Sequence, residues 1–489
     1  MDFSKIVSWI LTNVFGNVPM FMGLLVFIGL LCCGKKFYEA LAGFIKAVVG
    51  YMVFNVASSG MTSTLRPILF AMQTKLGQNV IILDGYYGMS VVKDVAATLN
   101  RAMSIYTVGM CIVFFLTLLM VYFKKITKLR CVNIAGNTIN ANAMMAFAFC
   151  ILILPEIPDG WLLAFVVAFG LLNLVPANMI LEDVQEFTDG AGFTVFHAET
   201  LSIWLACRLG DMIQKKSKET GKPIKRWGDI EFPGWLSIFD DITVSSTLVM
   251  LVVFGAFMVI VGKENLAQFD SSMGAKEFPL YIFQTACTFG CYIVILTTGI
   301  RMFVSELTVA FNGFSDKLLR GGVPAVDVAC TLGFMPNPQV LTIGFFTGTV
   351  CCTLLSFICF ALKMPFVAIM GFTSLFFEQG SIAVFADWKG GIKLQLFMNA
   401  LCSVLQVLLG GFIVYTLGVA KYGGFGITSN WAVMLAGIIP TLKVAGPVGV
   451  VVVFVVALAI PWIQYLRNKD TYFLAVEDWD AYKEAKGIE

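Results

Sequence analysis

Apolar residues in this chain do not alternate with polar ones at the period of a half-buried element; they come in long runs. The runs occupy 18 to 33, 40 to 58, 105 to 123, 141 to 155, 160 to 180, 243 to 262, 279 to 302, 339 to 363, 366 to 386, 393 to 419 and 446 to 466. A helix crosses the bilayer core with about 20 apolar residues, so the pattern predicts eleven spans and termini on opposite sides. Three stretches, 59 to 100, 181 to 213 and 303 to 337, interrupt it with Gly, Asp, Asn, Ser and Thr. Irregular backbone survives at membrane depth only where protein or a water-filled cavity satisfies its polar groups. Such segments are where a transporter holds its cargo.

Composition sharpens this into an all-α polytopic membrane protein with re-entrant or amphipathic segments. Of 489 residues 58% are hydrophobic and 13% charged, against about 25% charged in a soluble domain. With 33 basic and 31 acidic side chains the net charge is +2, which offers no basic face for nucleic acid. Basic residues in short loops mark the cytoplasmic side. They cluster at Lys35 and Lys36, at KKITKLR (124 to 130), at KKSKETGKPIKR (215 to 226), at Lys317 and Arg320, at Lys389 and Lys393, and at Arg467 and Lys469. The loops PEIPDG (155 to 160) and GKENLAQFDSSMGAKE (262 to 277) are acidic or mixed. Counting spans between these loops places the N-terminus outside and the C-terminus in the cytoplasm. The first ten residues carry one lysine and no A-x-A site, so no cleaved leader is expected. Ten of the thirteen cysteines sit in apolar runs, where they pack as small hydrophobes. With a single histidine in the chain, no metal site and no cofactor are expected.

TLRPILFAMQTKLGQNVIILD (64 to 84) and LTVAFNGFSDKLLRGGVPAVD (307 to 327) align without a gap. Each reads as an amphipathic helix running into an apolar stretch that ends in Asp84 or Asp327. The alignment predicts two structurally repeated halves, 1 to 235 and 236 to 466, followed by a cytoplasmic tail, 467 to 489.

Asp327 is the only ionisable group in GGVPAVDVACTLGF, and a charge at membrane depth costs about 2.5 kcal/mol or more. It reads either as an acceptor for substrate hydroxyls or as the cap of a broken helix. His197 follows the TDGAGF turn and precedes Glu199, a setting that orients a ring towards a ligand; the alternative is a satisfied core histidine. Asp189 with Gly190 reads as turn chemistry. In NTINAN, Asn137, Asn140 and Asn142 face a cavity or cap the helix that follows. Six of the twelve residues 215 to 226 are Lys or Arg, which is either the positive-inside signal alone or a docking surface for an acidic soluble partner.

The motifs TSTLRP (62 to 67), FTDGAGFTVFH (187 to 197), FPGWLSIFDD (232 to 241), GIRMFVSELTVAFNGFSDKL (299 to 318), GFMPNPQVLTIGFFTGT (333 to 349) and GFTSLFFEQGSIAVFADWKGG (371 to 391) come in the order and spacing of a known family. The sequence resembles the ascorbate-type enzyme IIC, the membrane permease component of the bacterial phosphoenolpyruvate-dependent sugar phosphotransferase system. The resemblance implies an eleven-helix fold with a substrate-holding core domain and a V-shaped dimerisation domain, working as a homodimer in the bacterial cytoplasmic membrane. It implies an elevator-like movement that carries L-ascorbate or a related sugar acid, pentose or polyol inward. Phosphate would come from a phosphocysteine on a soluble IIB protein, fed by IIA, HPr and enzyme I. That donor is expected on a separate chain, because only residues 467 to 489 follow the last predicted span.

By the resemblance the substrate-binding residues are Ser59, Tyr86, Asn137, His197 and Asp327, with Asp84, Asn140, Glu199 and Glu306 supporting. His197 and Asp327 are expected to clasp a polyhydroxylated ligand from the two halves. Four positions depart from the pattern. Asn137 and Ala141 stand where ascorbate carriers have histidine and glutamine, Ala198 replaces a glutamine, and Gly85 replaces a threonine. Two other classes remain open: a proton- or ion-coupled secondary transporter using Asp327, Glu306 and His197 as a relay, and a receptor or structural role without transport.

Overall fold

The computed structural model describes residues 9, 13–14, 17–76, 79–230, 241–317, 321–337, 339–371 and 374–487. Most of the FPGWLSIFDD motif and the predicted boundary between halves lie outside these residues. Two helices of 40 residues, Phe37–Leu76 and Phe278–Lys317, pack along one another. Lys46 on the first pairs with Glu306 on the second at 2.9 Å. Both run straight through stretches that the sequence marked as interruptions, 59 to 76 and 303 to 317. The physical reason is visible at Ser63 and Thr64, whose hydroxyls fold back onto the Gly60 carbonyl at 2.9 and 2.8 Å. A helix satisfies its own backbone, and short hydroxyl side chains satisfy themselves on it, so polar content alone does not break the helix.

Each long helix is followed by a four-residue strand, β1 (Val80–Leu83) after the first and β4 (Val323–Val326) after the second, with every residue buried. β1 lies between β5 (Val367–Met370) and β6 (Gly424–Phe425). β4 lies between β2 (Cys131–Asn133) and β3 (Thr194–Val195). All pairings are parallel. The fold is therefore mostly helical with two small parallel sheets, which corrects the all-α expectation. Runs such as VIIL and VPAV are buried on both faces, as parallel strands are. They show no period that would separate them from a helix.

Among the described residues seven helical segments are long and apolar enough to cross a membrane. The last two are each about twice the required length: Ser374–Thr416 and Ser429–Arg467. The first is a hairpin. Its helix reverses at Gly391, whose φ of 73° suits a residue without Cβ. Predicted span 366 to 386 begins instead as β5, and its helical part forms the first arm of this hairpin. Both arms carry a π-helical turn at the end away from the tip, Ser374–Gln379 and Leu405–Gly410. The helix Ser429–Ala445, started by Thr428 accepting from the Trp431 N–H at 3.2 Å, was not among the predicted spans.

The C-terminal segment packs back onto the body. Arg130 is fully buried and donates to Glu182 at 2.6 Å and to the carbonyls of Tyr472 and Asn178 at 2.6 and 2.8 Å. Its guanidinium lies 3.6 Å from the centre of the Tyr472 ring. The Tyr472 hydroxyl donates to the Lys128 carbonyl at 2.6 Å and accepts from the Asn178 amide at 2.8 Å.

Candidate functional site

In a parallel sheet all strands point the same way, so whatever follows them gathers at one edge. Val195 of β3 is paired with Val326 of β4, and the Phe196 N–H reaches the Val326 carbonyl at 2.7 Å. That pairing brings His197, two residues past Val195, and Asp327, one past Val326, to the same edge of the sheet, close enough for the carboxylate to act on the imidazole. β2 contributes its own end there: the Ile134 N–H bonds the Ala325 carbonyl at 3.0 Å, just before the helix Gly136–Ile153.

Asp327 is only partly buried and caps a short 3₁₀ helix, Val328–Phe334, by accepting from the Ala329 N–H at 2.9 Å. The capping and acceptor roles are compatible, because a carboxylate has more lone pairs than one cap uses. His197 is held more tightly. Its backbone N–H donates to the Thr200 hydroxyl at 2.9 Å, and Nδ1 bonds the carboxylate of Glu199, which is wholly buried. With Nδ1 committed to Glu199, Nε2 is the ring atom free to meet a ligand. The side chain is 8% exposed. Burial disfavours the charged ring, but Glu199, Asp327 and Glu378 more than offset it, and the imidazole pKa is pushed up to about 9. The shift favours the protonated ring, which donates from Nε2.

Glu378 is the residue that sequence reasoning missed. It lies in the π-helical turn at the root of the hairpin, beside Phe377, whose ring centre is 5.8 Å from that of His197. Its carboxylate is close enough to Glu199 and His197 to act on both. It accepts from Gln406 and from the Ser429 N–H at 3.3 Å. FFEQ inside an apolar run (376 to 379) was the available signal, since an intramembrane Glu calls for a partner.

Behind Glu378 runs a chain of amides buried within the hairpin. Trp227 donates from its indole to Gln395 at 3.0 Å, Gln395 to Asn399 at 2.6 Å, and Asn399 to Gln379 at 2.7 Å. Gln379 donates to Gln406 at 2.9 Å, and Gln406 to Glu378. Every step points the same way and ends on a carboxylate, so the amide dipoles reinforce one another.

The remaining predicted residues are more scattered. Asp84 follows β1 and accepts from the Tyr87 N–H at 3.1 Å, a capping role like that of Asp327 but one residue longer and on the other sheet. Tyr86 and Asn137 lie in the first turns of Gly85–Thr98 and Gly136–Ile153, but their side chains fall outside the described residues. Asn140 is partly buried and points its amide to the Met144 sulfur at 3.7 Å. Ser59 is exposed, midway along Phe37–Leu76. Glu306 is engaged with Lys46. Among the described residues no group of three or more His, Cys, Asp or Glu side chains is arranged to hold a metal ion.

Comparison with known proteins gives two findings. Residues 13–432 match the model of a family described as the PTS system sugar-specific permease component, EIIC-GAT. The chain is also similar to the ascorbate-specific PTS system EIIC component of Mycoplasma pneumoniae, 25% identical over 449 residues. That match takes in 83% of this chain and 66% of the relative, so the chain spans just under two thirds of the relative's length.

Proposed function

The chain belongs to the family of sugar-specific permease components of the phosphotransferase system, and from that premise we propose that it carries a small polyhydroxylated substrate inward with coupled phosphorylation by a separate phospho-IIB protein. The observation that carries this reading is the meeting of His197, Glu199 and Asp327 at the edge of one parallel sheet. His197, a cation oriented by Glu199, donates from Nε2 to a substrate oxygen. Asp327 accepts the hydroxyl proton of the atom to be phosphorylated. In the transfer the partner's S–P bond breaks, the substrate's O–P bond forms, and the proton passes to the Asp327 carboxylate. Ser59, Tyr86, Asn137 and, in support, Asp84 and Asn140 complete the proposed contacts.

The architecture proposed with it is eleven spans in two repeated halves, working as a homodimer with elevator-type movement, N-terminus outside and C-terminus cytoplasmic. Reciprocal strand exchange supports the repeat, since each central strand follows a 40-residue helix and ends at a capping aspartate. The relative's name supports ascorbate as substrate. Asn137, Ala141, Ala198 and Gly85 argue for a different list of hydrogen bonds, and a site lacking a donor meant for one substrate rejects it strongly.

The test is phosphoenolpyruvate-driven uptake by proteoliposomes supplied with the soluble relay proteins, using labelled L-ascorbate beside sugar acids, pentoses and polyols. Accumulation of a phosphorylated product supports the reading. Uptake that ignores phosphoenolpyruvate and collapses with the proton gradient would support instead a proton-coupled carrier, a reading favoured by the buried group of His197, Glu199 and Glu378.

A further inference from the structure

The basic stretch 215 to 226 is left without a role by the site. It forms the end of the helix Thr200–Thr220 and the irregular segment that returns after it. Gly221, with φ of 66°, ends the helix in a left-handed turn, and the Ser217 hydroxyl ties the two limbs by donating to the Lys222 carbonyl at 2.6 Å. Lys215, Lys216, Lys218, Lys222, Lys225 and Arg226 are all exposed, and Glu219 is the one acidic residue among them. None of these five lysines makes an ion pair among the described residues. One turn deeper the opposite holds: Lys389 lies 2.6 Å from Glu186 and 3.4 Å from Asp211, and Arg208 pairs with Asp183 and Asp211. The interior has neutralised its own charges, and the strap presents its charges to solvent.

The strap is also fastened to the site. The Lys225 carbonyl accepts from the Ile392 N–H at 3.0 Å, filling the break at the hairpin tip, and Arg226 donates to the Trp388 carbonyl at 3.0 Å. Trp227, the next residue, starts the amide chain that ends at Glu378. Along the other limb, the helix that ends in the strap begins at Glu199, the partner of His197. A positive-inside signal needs charge alone; it needs neither an ordered turn nor a tie to the substrate-facing carboxylates.

We infer that this strap is the docking surface for an acidic face of the soluble phosphoryl-donor protein. The inference rests on the permease reading above. Five lysines without an ion pair among the described residues, on one short turn, steer an acidic partner by long-range attraction and act mainly on the rate of encounter. The strap marks where the partner waits, since the length of the helix Thr200–Thr220 separates it from His197. The two connections to Glu378 and Glu199 give the docked partner a path to the residues that hold the substrate.

The experiment uses the full chain with Lys215, Lys216, Lys218 and Lys222 each changed to Gln, leaving Lys225 and Arg226 at the hairpin tip. Wild-type and variant protein are placed in phosphatidylcholine vesicles, and uptake of the panel member that the wild type accumulates is measured against the concentration of phosphorylated IIB-type protein from the same genome. The half-saturating donor concentration should rise about tenfold, with the saturated rate and direct substrate binding unchanged and the salt dependence shallower. An unchanged half-saturating concentration beside robust wild-type uptake overturns the docking surface alone. A defect that appears only when phosphatidylglycerol is added assigns the strap to lipid headgroups and overturns it too. Absence of donor-driven uptake by the wild type overturns the permease reading, and the docking surface with it.

Discussion

Replacing Glu199 by Gln is the perturbation with the sharpest consequence. Gln keeps an oxygen that can accept from Nδ1 but removes the charge that, more than any other, holds the imidazole pKa up from 6.5 to about 9. The full rise corresponds to about 3 kcal/mol in favour of the protonated ring, at about 1.4 kcal/mol per unit. Burial remains after the substitution and works against the proton. If the pKa returns to its ordinary value, only about one ring in ten stays protonated at pH 7.5. Direct binding of the accumulated substrate to purified protein should then weaken about tenfold at pH 7.5 and recover at pH 5.5. The wild type should bind evenly from pH 6 to 8 and weaken as pH climbs through about 9. Stability follows the same sign: a raised histidine contributes fully below its unfolded pKa and loses that contribution as pH rises through the folded one. Melting temperature against pH should therefore flatten between 6.5 and 9 in the variant. Wild-type affinity of the variant at pH 7.5, or an equal loss at pH 5.5 and 7.5, would refute the assignment of His197 as a cationic donor set by Glu199.

Three further outcomes are expected. Asp327→Asn should retain substrate binding within a few-fold while donor-driven phosphorylation drops about a hundredfold or more; equal loss of both would make Asp327 a binding group only. Asn399→Leu removes the amide between Gln395 and Gln379 and leaves buried groups unsatisfied, so thermal or denaturant unfolding should show a loss of about 1 to 3 kcal/mol, and no loss would mean that the chain of amides is not continuous. Arg130→Met strands Glu182 and two carbonyls around a buried site, which should cost about 3 kcal/mol and detach the C-terminal segment, read as new protease cleavage after residue 467; an uncut, equally stable variant would show that the segment is held elsewhere.

Much of this was legible in the sequence because lipid imposes a simple rule on side chains. Apolar runs marked most of the helices, and two of the stretches that interrupt them, 181 to 213 and 303 to 337, bring His197 and Asp327 to one sheet edge. What stayed hidden depended on distance along the chain. The four apolar residues before Asp84 or Asp327 become strand only because partners far away pair with them. Glu378 sits in a run that reads as an ordinary span until the π turn and Ser429 give it neighbours. The break in the hairpin at Gly391 was legible, as the short loop between the runs 366 to 386 and 393 to 419 that Lys389 and Lys393 mark; what stayed hidden was the distant Lys225 carbonyl that fills it.

The exchange of central strands bears on how the protein is made. β1 leaves the ribosome early, but its neighbours β5 and β6 belong to the last part of the chain, and Leu83 must wait for Phe425. Until then its edge groups are unpaired, a state the bilayer interior tolerates poorly. Helices can enter the membrane one at a time as they are synthesised, and the sheet beside His197 and Asp327 is complete once β4 is made, but the β1 sheet closes only when Phe425 has been added. A product stalled before residue 424 would therefore be an inserted bundle with one edge of β1 left open, and a target for membrane quality control.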